Sequence, residues 1–296
     1  MKILDKKVTF GVIVGTRGFF NPRLAVEGRR ELLAKLSALG YSHVILPAKA
    51  TAHQAVETRA DAKKCAALFR QHRDRIDGVI VVLPNFGDEL GVIETLDLAR
   101  LDVPVLVQAC SDRLDAVDVA GRRDAFCGKL SVCNNLYQYG IPFTDTRDHT
   151  CDIGSDAFGA DLDFFARVCR VVRGLRRARI GAVGARPAAF QTVRFSEKLF
   201  ERSGITVETL DLSEAYGRVA RLADDDARVA AKIAAIKAYA SVAKVPPVAL
   251  TKIAKLGVVM DEWIAANEYD ATAIQCWTSL QEFFGVVPCT LMSMLS

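Results

Sequence analysis

The sequence has no apolar run approaching the roughly 20 uninterrupted residues a helix needs to cross a bilayer, so no segment reads as a membrane span. Its start, Met1 to Phe10, alternates charged with apolar side chains. It lacks both an apolar core and a small-residue cleavage site, which excludes a secretory signal peptide. Histidine is scarce: His43, His53, His72 and His149 lie far apart, and no HxxxH, HExxH or GxSxG occurs. No local motif therefore supplies zinc-protease or serine-hydrolase machinery. The glycines of Gly15 to Gly18 and Gly181 to Gly184 match neither GxGxxG nor a P-loop, so a dinucleotide reading has no fingerprint. The eight cysteines (65, 110, 127, 133, 151, 169, 276 and 289) show no paired short spacing. Cys127 and Cys133, the closest pair, are separated by more than the roughly two to four residues of a zinc knuckle. Without an export signal they read as reduced thiols of a cytoplasmic protein.

What is present is ordinary globular composition. Of the 296 residues, 51% are hydrophobic and 25% charged, enough chain for two domains with cores of their own. The net charge of +4 comes largely from Arg170, Arg173, Arg176, Arg177 and Arg179. On a helix, Arg170, Arg173 and Arg177 fall at i, i+3 and i+7, with Val168, Val171, Val172 and Leu175 supplying the apolar side. This reads as a solvated helix face or a subunit contact. Aromatic interleaving and any nucleic-acid motif are missing, so nucleic acid is not an expected partner.

Short β-rich apolar runs alternate with longer helical stretches, the mark of βαβ units and a mostly parallel sheet. The spacing predicts strands at Val8 to Val14, His43 to Leu46, Gly78 to Leu83 and Val103 to Gln108. Helices are predicted at Leu24 to Leu39, Ala60 to His72 and Gly91 to Arg100. From Asp112 to Cys151 the period weakens, which reads as a loop excursion with a short helix at Lys129 to Gln138. After a helix from Asp161 to Arg177 the alternation restarts. Strands are expected at Ala178 to Val183, Thr206 to Asp211 and Ala271 to Gln275, and helices at Val193 to Ser203, Arg228 to Ala240, Pro247 to Asn267 and Ser279 to Phe284. A final strand is expected near Pro288 to Met292. The expected fold is α/β, two consecutive Rossmann-like doubly wound domains with mostly parallel sheets, 1–165 and 166–296. The closing apolar run suggests that the second is incomplete and the chain a fragment.

In open parallel sheets ligands bind beyond the carboxyl ends of the strands. Four loops stand there: Gly15 to Arg23 with Arg17 and Arg23, Pro84 to Glu89 with Asn85 and Phe86, Gly184 to Pro187 with Arg186, and Gln275 to Thr278 with Trp277. Amides, guanidinium groups and aromatic faces together suit a polyhydroxylated sugar. Arg17 or Arg23 could equally hold a carboxylate or a helix end, and Phe86 and Trp277 could be core aromatics. Asp224-Asp225-Asp226 reads as a helix cap rather than a metal cluster. Glu89, Glu214 and Glu282 are acids near strand ends, but no spacing pairs two of them.

Four long phrases carry a resemblance: Leu83 to Glu89, Phe126 to Leu136, Ile180 to Phe190 and Asp270 to Thr278. From about residue 8 onward the chain resembles the fucose isomerase-like proteins of the L-fucose/L-arabinose isomerase superfamily. The resemblance implies an aldose-ketose isomerase working through an enediol, with a divalent metal, commonly manganese, as cofactor. It implies a homo-oligomer whose active site lies between subunits. It also assigns substrate binding to Gln275 and Trp277, to Phe86, and to Arg17 or Arg23. The family's metal-binding glutamate, aspartate and histidine would follow a strand ending near Met294, so no residue present is assigned as a metal ligand. The alternatives are a non-catalytic sugar-binding or assembly module that has lost the metal domain, and a nucleotide-binding oxidoreductase, which lacks the glycine fingerprint.

Overall fold

The computed structural model describes residues 7–296, so most of the charge alternation over Met1 to Phe10 lies outside the described residues. Two compact units are formed, Met1–Gly174 and Leu175–Ser296. Among the described residues no helix is long and apolar enough to cross a membrane.

The first unit is built on strands β1 (Thr9–Val14), β2 (Ser42–Val44), β3 (Gly78–Leu83), β4 (Val105–Ala109) and β5 (Thr144–Asp145), all parallel in the order β2-β1-β3-β4-β5. Every residue of β1, β3 and β4 is buried, as the continuous apolar runs require of strands covered on both faces. Alternate side chains enter two separate cores. Ile13, Val79, Val81, Leu83, Val105 and Val107 meet α2 (Arg59–Gln71), α3 (Glu89–Ala99) and α4 (Ala125–Gln138). Phe10, Val12, Val14, Ile80, Val82 and Leu106 meet α1 (Pro22–Ala38) and α5 (Asp156–Leu175). The unit is therefore doubly wound.

Local chemistry sets the helix starts. Asn21 caps α1 by accepting from Arg23 N, with Pro22 at the first helical position, and Thr58 and Asp61 form a reciprocal capping box on α2. Helix α5 buries Phe158, Leu162, Phe165, Ala166 and Cys169, one face at helical spacing. Each of its two buried phenyl rings, Phe158 and Phe165, contributes roughly 1.5 to 3 kcal/mol by leaving water, and Phe165 stacks on Phe10 at 5.6 Å.

The stretch Asp112 to Cys151 differs from the expected excursion. It holds the full helix α4 and the edge strand β5, which pairs Leu106 with Thr144 and Val107 with Asp145, so the sheet has five strands and a fourth crossover. Lys129 disguised the apolar period, because it is buried in α4 among Ala125, Gly128, Val132 and Leu136.

The second unit carries β6 (Arg179–Val183), β7 (Thr206–Leu210) and β8 (Ala271–Ile274), parallel in the order β7-β6-β8. Val183 and Leu210 join a core with α7 (Leu212–Ala220), α8 (Ala227–Tyr239) and α9 (Pro247–Asn267). The expected helix Val193 to Ser203 contracts to α6 (Glu197–Arg202) behind a short turn at Gln191–Val193. The expected last strand is instead α10 (Cys289–Leu295), which buries Leu291. Asp226 caps α8 by accepting from Arg228 N, and Arg228 holds its carboxyl down at about 2, so the acidic run is a cap. Helix α7 carries Gly217 in its interior, with open space where a Cβ would stand. Gly217→Ala is expected to stabilise the chain by roughly 0.5 to 1 kcal/mol, read as a higher melting temperature, because only unfolded-state freedom changes.

Candidate functional site

In the first unit the chain turns from β1 to β2 on one side and reaches β3 on the other, so the strand order reverses between β1 and β3. The crevice at such a switch point is where this architecture holds ligands. The second unit repeats the arrangement, with β7 and β8 flanking β6. The loops after β1 and β3, and those after β6 and β8, are therefore the candidate sites.

At the first switch point the loop after β1 is laid down by Gly15 N donating to Val82 O at 2.9 Å and Thr16 N to Val56 O at 3.2 Å. Asn85 is fully buried and joins the two loops: its Nδ2 donates to Thr16 Oγ1 at 3.0 Å, and its Oδ1 accepts from Gly87 N at 3.1 Å. Half-buried Phe86 lies under the Arg17 guanidinium, 4.5 Å from ring centroid to Cζ, and stacks with Phe20 at 6.2 Å. Arg17 Nε stands 3.6 Å from Asp88, whose other oxygen caps α3 by accepting from Leu90 N and Gly91 N. Glu57 accepts from Gly18 N, and Arg122 lies near the rings of Phe19 and Phe20 while paired with Asp124. Arg17 and Arg122 face carboxylates and Asn85 is committed to the two loops, leaving aromatic faces and neutralised guanidinium groups, a surface suited to hydroxyls.

Helix α4 clamps this loop from behind. A Cβ on Gly128 would fall 1.6 Å from Phe86 O, so only glycine allows α4 to lie against the Phe86 backbone. Glu89 receives Ser131 Oγ and, at 3.0 Å, Asn135 Nδ2, while Arg123 donates to Pro84 O at 2.7 Å. Thr16, Glu57, Gly128, Ser131 and Asn135 were not singled out as site residues from the sequence. Gly128, Ser131 and Asn135 all fall within the phrase Phe126 to Leu136, and their spacing of three and four places Ser131 and Asn135 on one helix face.

The structure thus gathers Arg17, Asn85 and Phe86. Arg23 stands apart on α1, its side chain 81% exposed and paired with Glu27 at 3.4 Å.

At the second switch point Gln275 extends the β8 ladder, its N–H donating to Val183 O. Its side chain accepts from Ala185 N through Oε1 and donates to Trp277 O through Nε2, both at 2.8 Å. Gly184, at φ 81°, passes so close that a Cβ would lie 2.5 Å from Gln275 Oε1. Arg186 NH1 donates to Pro187 O and Ala188 O at 3.0 Å, bracing its own loop. Gln275 and Arg186 therefore shape the loops, and half-exposed Trp277 packs its ring 5.0 Å from Phe190.

Among the described residues no group of three or more His, Cys, Asp or Glu side chains could hold a metal ion, so the residues present do not fit the divalent metal that the resemblance implies. Cys65, Cys133, Cys151 and Cys169 are disfavoured as nucleophiles as well. Burial pushes Cys65 and Cys169 up to about 12, and Cys133 and Cys151 to about 11, far from thiolate formation at neutral pH. Burial also raises Asp161, but this carboxyl accepts from Arg147 N in the stretch after β5, not at a switch point.

Comparison with known proteins agrees with this architecture. Two curated relatives, the sulfoquinovose isomerases of Priestia aryabhattai and of Priestia megaterium, are each 25% identical over 226 residues, covering 74% of this chain and 48% of their own. The chain spans about half the length of the curated relatives it matches. The family described as fucose/sulfoquinovose isomerase, N-terminal domain, matches residues 11–176, more than half of the chain and nearly all of the first doubly wound unit. The chain belongs to the fucose/sulfoquinovose isomerase N-terminal domain family.

Proposed function

We propose that this chain is the sugar-recognising part of a cytoplasmic aldose-ketose isomerase, a homo-oligomer whose active site lies between subunits and whose reaction passes through an enediol. The observation that carries the proposal is the pair of switch points, each bordered by an aromatic ring together with amide and guanidinium groups: Phe86, Asn85 and Arg17 in one unit, Trp277, Gln275 and Arg186 in the other. Aromatic faces support the apolar side of a sugar, Arg17 orients its hydroxyls, and Asn85, Gln275 and Arg186 hold the loops that present these groups. Membership in the isomerase family and the sulfoquinovose isomerase relatives support the reaction class. No step is assigned to a metal on this chain, because its described residues offer no ligand set. That same observation favours a second reading, a non-catalytic sugar-binding or assembly module.

The test is incubation of the protein from its native source with L-fucose, L-arabinose and sulfoquinovose in deuterated water with Mn2+. Formation of a ketose carrying solvent deuterium is the expected result. Conversion without deuterium would remove a solvent-exchanging enediol and leave a hydride shift or a proton returned by one shielded base. Sugar binding without turnover would establish the module reading, and neither binding nor turnover would overturn both. The 296-residue chain alone is expected to give no ketose, and Mn2+-dependent conversion by it would overturn the assignment of recognition alone to these residues.

A further inference from the structure

The second unit holds a cavity of about 570 Å³ between α7, the start of α9 and the turn Leu280–Phe284. That volume lies within the roughly 300 to 1,000 Å³ of small-molecule sites, whose walls are mostly apolar and aromatic with a few polar groups. The wall here has the same make-up. Tyr216 of α7 and Phe284 lie with ring centres 4.9 Å apart and 8° between their planes, and Tyr216 OH is held 3.0 Å from Ser279 Oγ. Phe283 and Val248 also line the cavity, and both are exposed. The charges on the wall do not cancel. Asp224 and Lys255 pair with each other. The Lys252 ammonium instead donates to a carbonyl, Phe284 O, at 3.2 Å and stands 5.7 Å from the Phe284 ring centre. A carbonyl and a ring face attract a cation but leave its charge uncompensated.

We propose that this cavity binds an organic monoanion, a carboxylate on a flat apolar body. Lys252 has three donors and gives one to Phe284 O, so it can offer a carboxylate a charge-assisted hydrogen bond. A flat body extends the stack that Tyr216 and Phe284 begin. A free sugar would set its hydroxyls against apolar walls without partners. A phosphate dianion calls for an arginine fork or several donors, and a single uncompensated lysine supplies neither. The inference goes beyond the isomerase reading and needs neither sugar nor metal for its test.

Calorimetric titration of the full chain with 2-naphthoate is expected to show saturable binding with a Kd at or below about 1 mM. The neutral 2-naphthamide, of the same shape, is expected to bind about tenfold more weakly. Lys252→Met keeps the apolar stem and removes the charge at an exposed position, so it is expected to weaken naphthoate about tenfold and leave naphthamide unchanged. Val248→Glu, at a residue 69% exposed, brings a like charge to the cavity and supplies the same readout should Lys252→Met misfold by circular dichroism. Absence of saturable naphthoate binding, equal binding of acid and amide, or naphthoate binding unchanged in the folded variants would each overturn the proposal.

Discussion

Gly128→Ala is expected to lower the melting temperature of the chain by roughly 6 to 12 °C, because about 3 kcal/mol is lost and each kcal/mol moves a unit of this size by about 2 to 4 °C. The added methyl would sit 1.6 Å from Phe86 O. Its neighbour is backbone, not the far end of a flexible side chain, so either the Phe86 turn or the first turn of α4 has to move. Moving α4 also pulls Ser131 and Asn135 from Glu89 and disturbs the inward pairing of Lys129. Overpacking of an ordinary core site costs about 1 to 3 kcal/mol, and this site lies at or beyond that upper end. Gly154→Ala is the control: no atom lies within 4 Å of its Cβ position, and a change within about 0.5 kcal/mol is expected there. A Gly128→Ala protein that melts with the parent would show that α4 does not clamp the Phe86 loop. If the first switch point binds sugar as proposed, the same substitution is expected to weaken that binding, since Arg17 stacks on Phe86.

The strands β1, β3 and β4 were legible because a strand covered on both faces needs an unbroken apolar run, and such runs are bounded here by glycine and proline. Helix α9 was legible to its ends, Pro247–Asn267, through its opening proline and long apolar face. Helix α4 was half hidden, since a buried lysine looks like a solvated one until Asp145, Thr146 and His149 are brought to it by the fold. Helix α10 was misread as a strand because seven mostly apolar residues carry no period that separates the two. Helix α7 had a readable signal that went unused: Asp211 accepts from Ser213 N as its cap, with Glu214 following at the third position. Position after a strand was enough to place Arg17, Asn85 and Phe86 together at the first switch point. It did not find Glu57, Gly128, Ser131 or Asn135, whose contacts span tens of residues and arise only when α4 and the segment before α2 are packed.

Asp77→Ala is expected to destabilise the first unit by roughly 3 to 5 kcal/mol, toward the lower end. Asp77 is 7% exposed, and its two oxygens are committed to different elements. Oδ1 accepts from Arg173 NH1 at 2.6 Å and Oδ2 from Thr9 N at 2.9 Å, so one carboxylate ties the end of α5 to the start of β1 from its place just ahead of β3. Alanine leaves the Thr9 N–H without its acceptor and Arg173 without this counter-charge. The Arg173 side chain is 20% exposed, and its remaining access to water keeps the cost below that of a fully dry pair. Asp77→Asn retains an acceptor for Thr9 while losing the charge, so the expected order of stability is parent, then Asp77→Asn, then Asp77→Ala. Urea unfolding reads this as a falling midpoint at unchanged slope. An Asp77→Ala midpoint close to that of the parent would return the arginine run around Arg173 to the solvated face that its spacing alone suggests. A large shift would make Arg173 the member of that run that the fold itself requires.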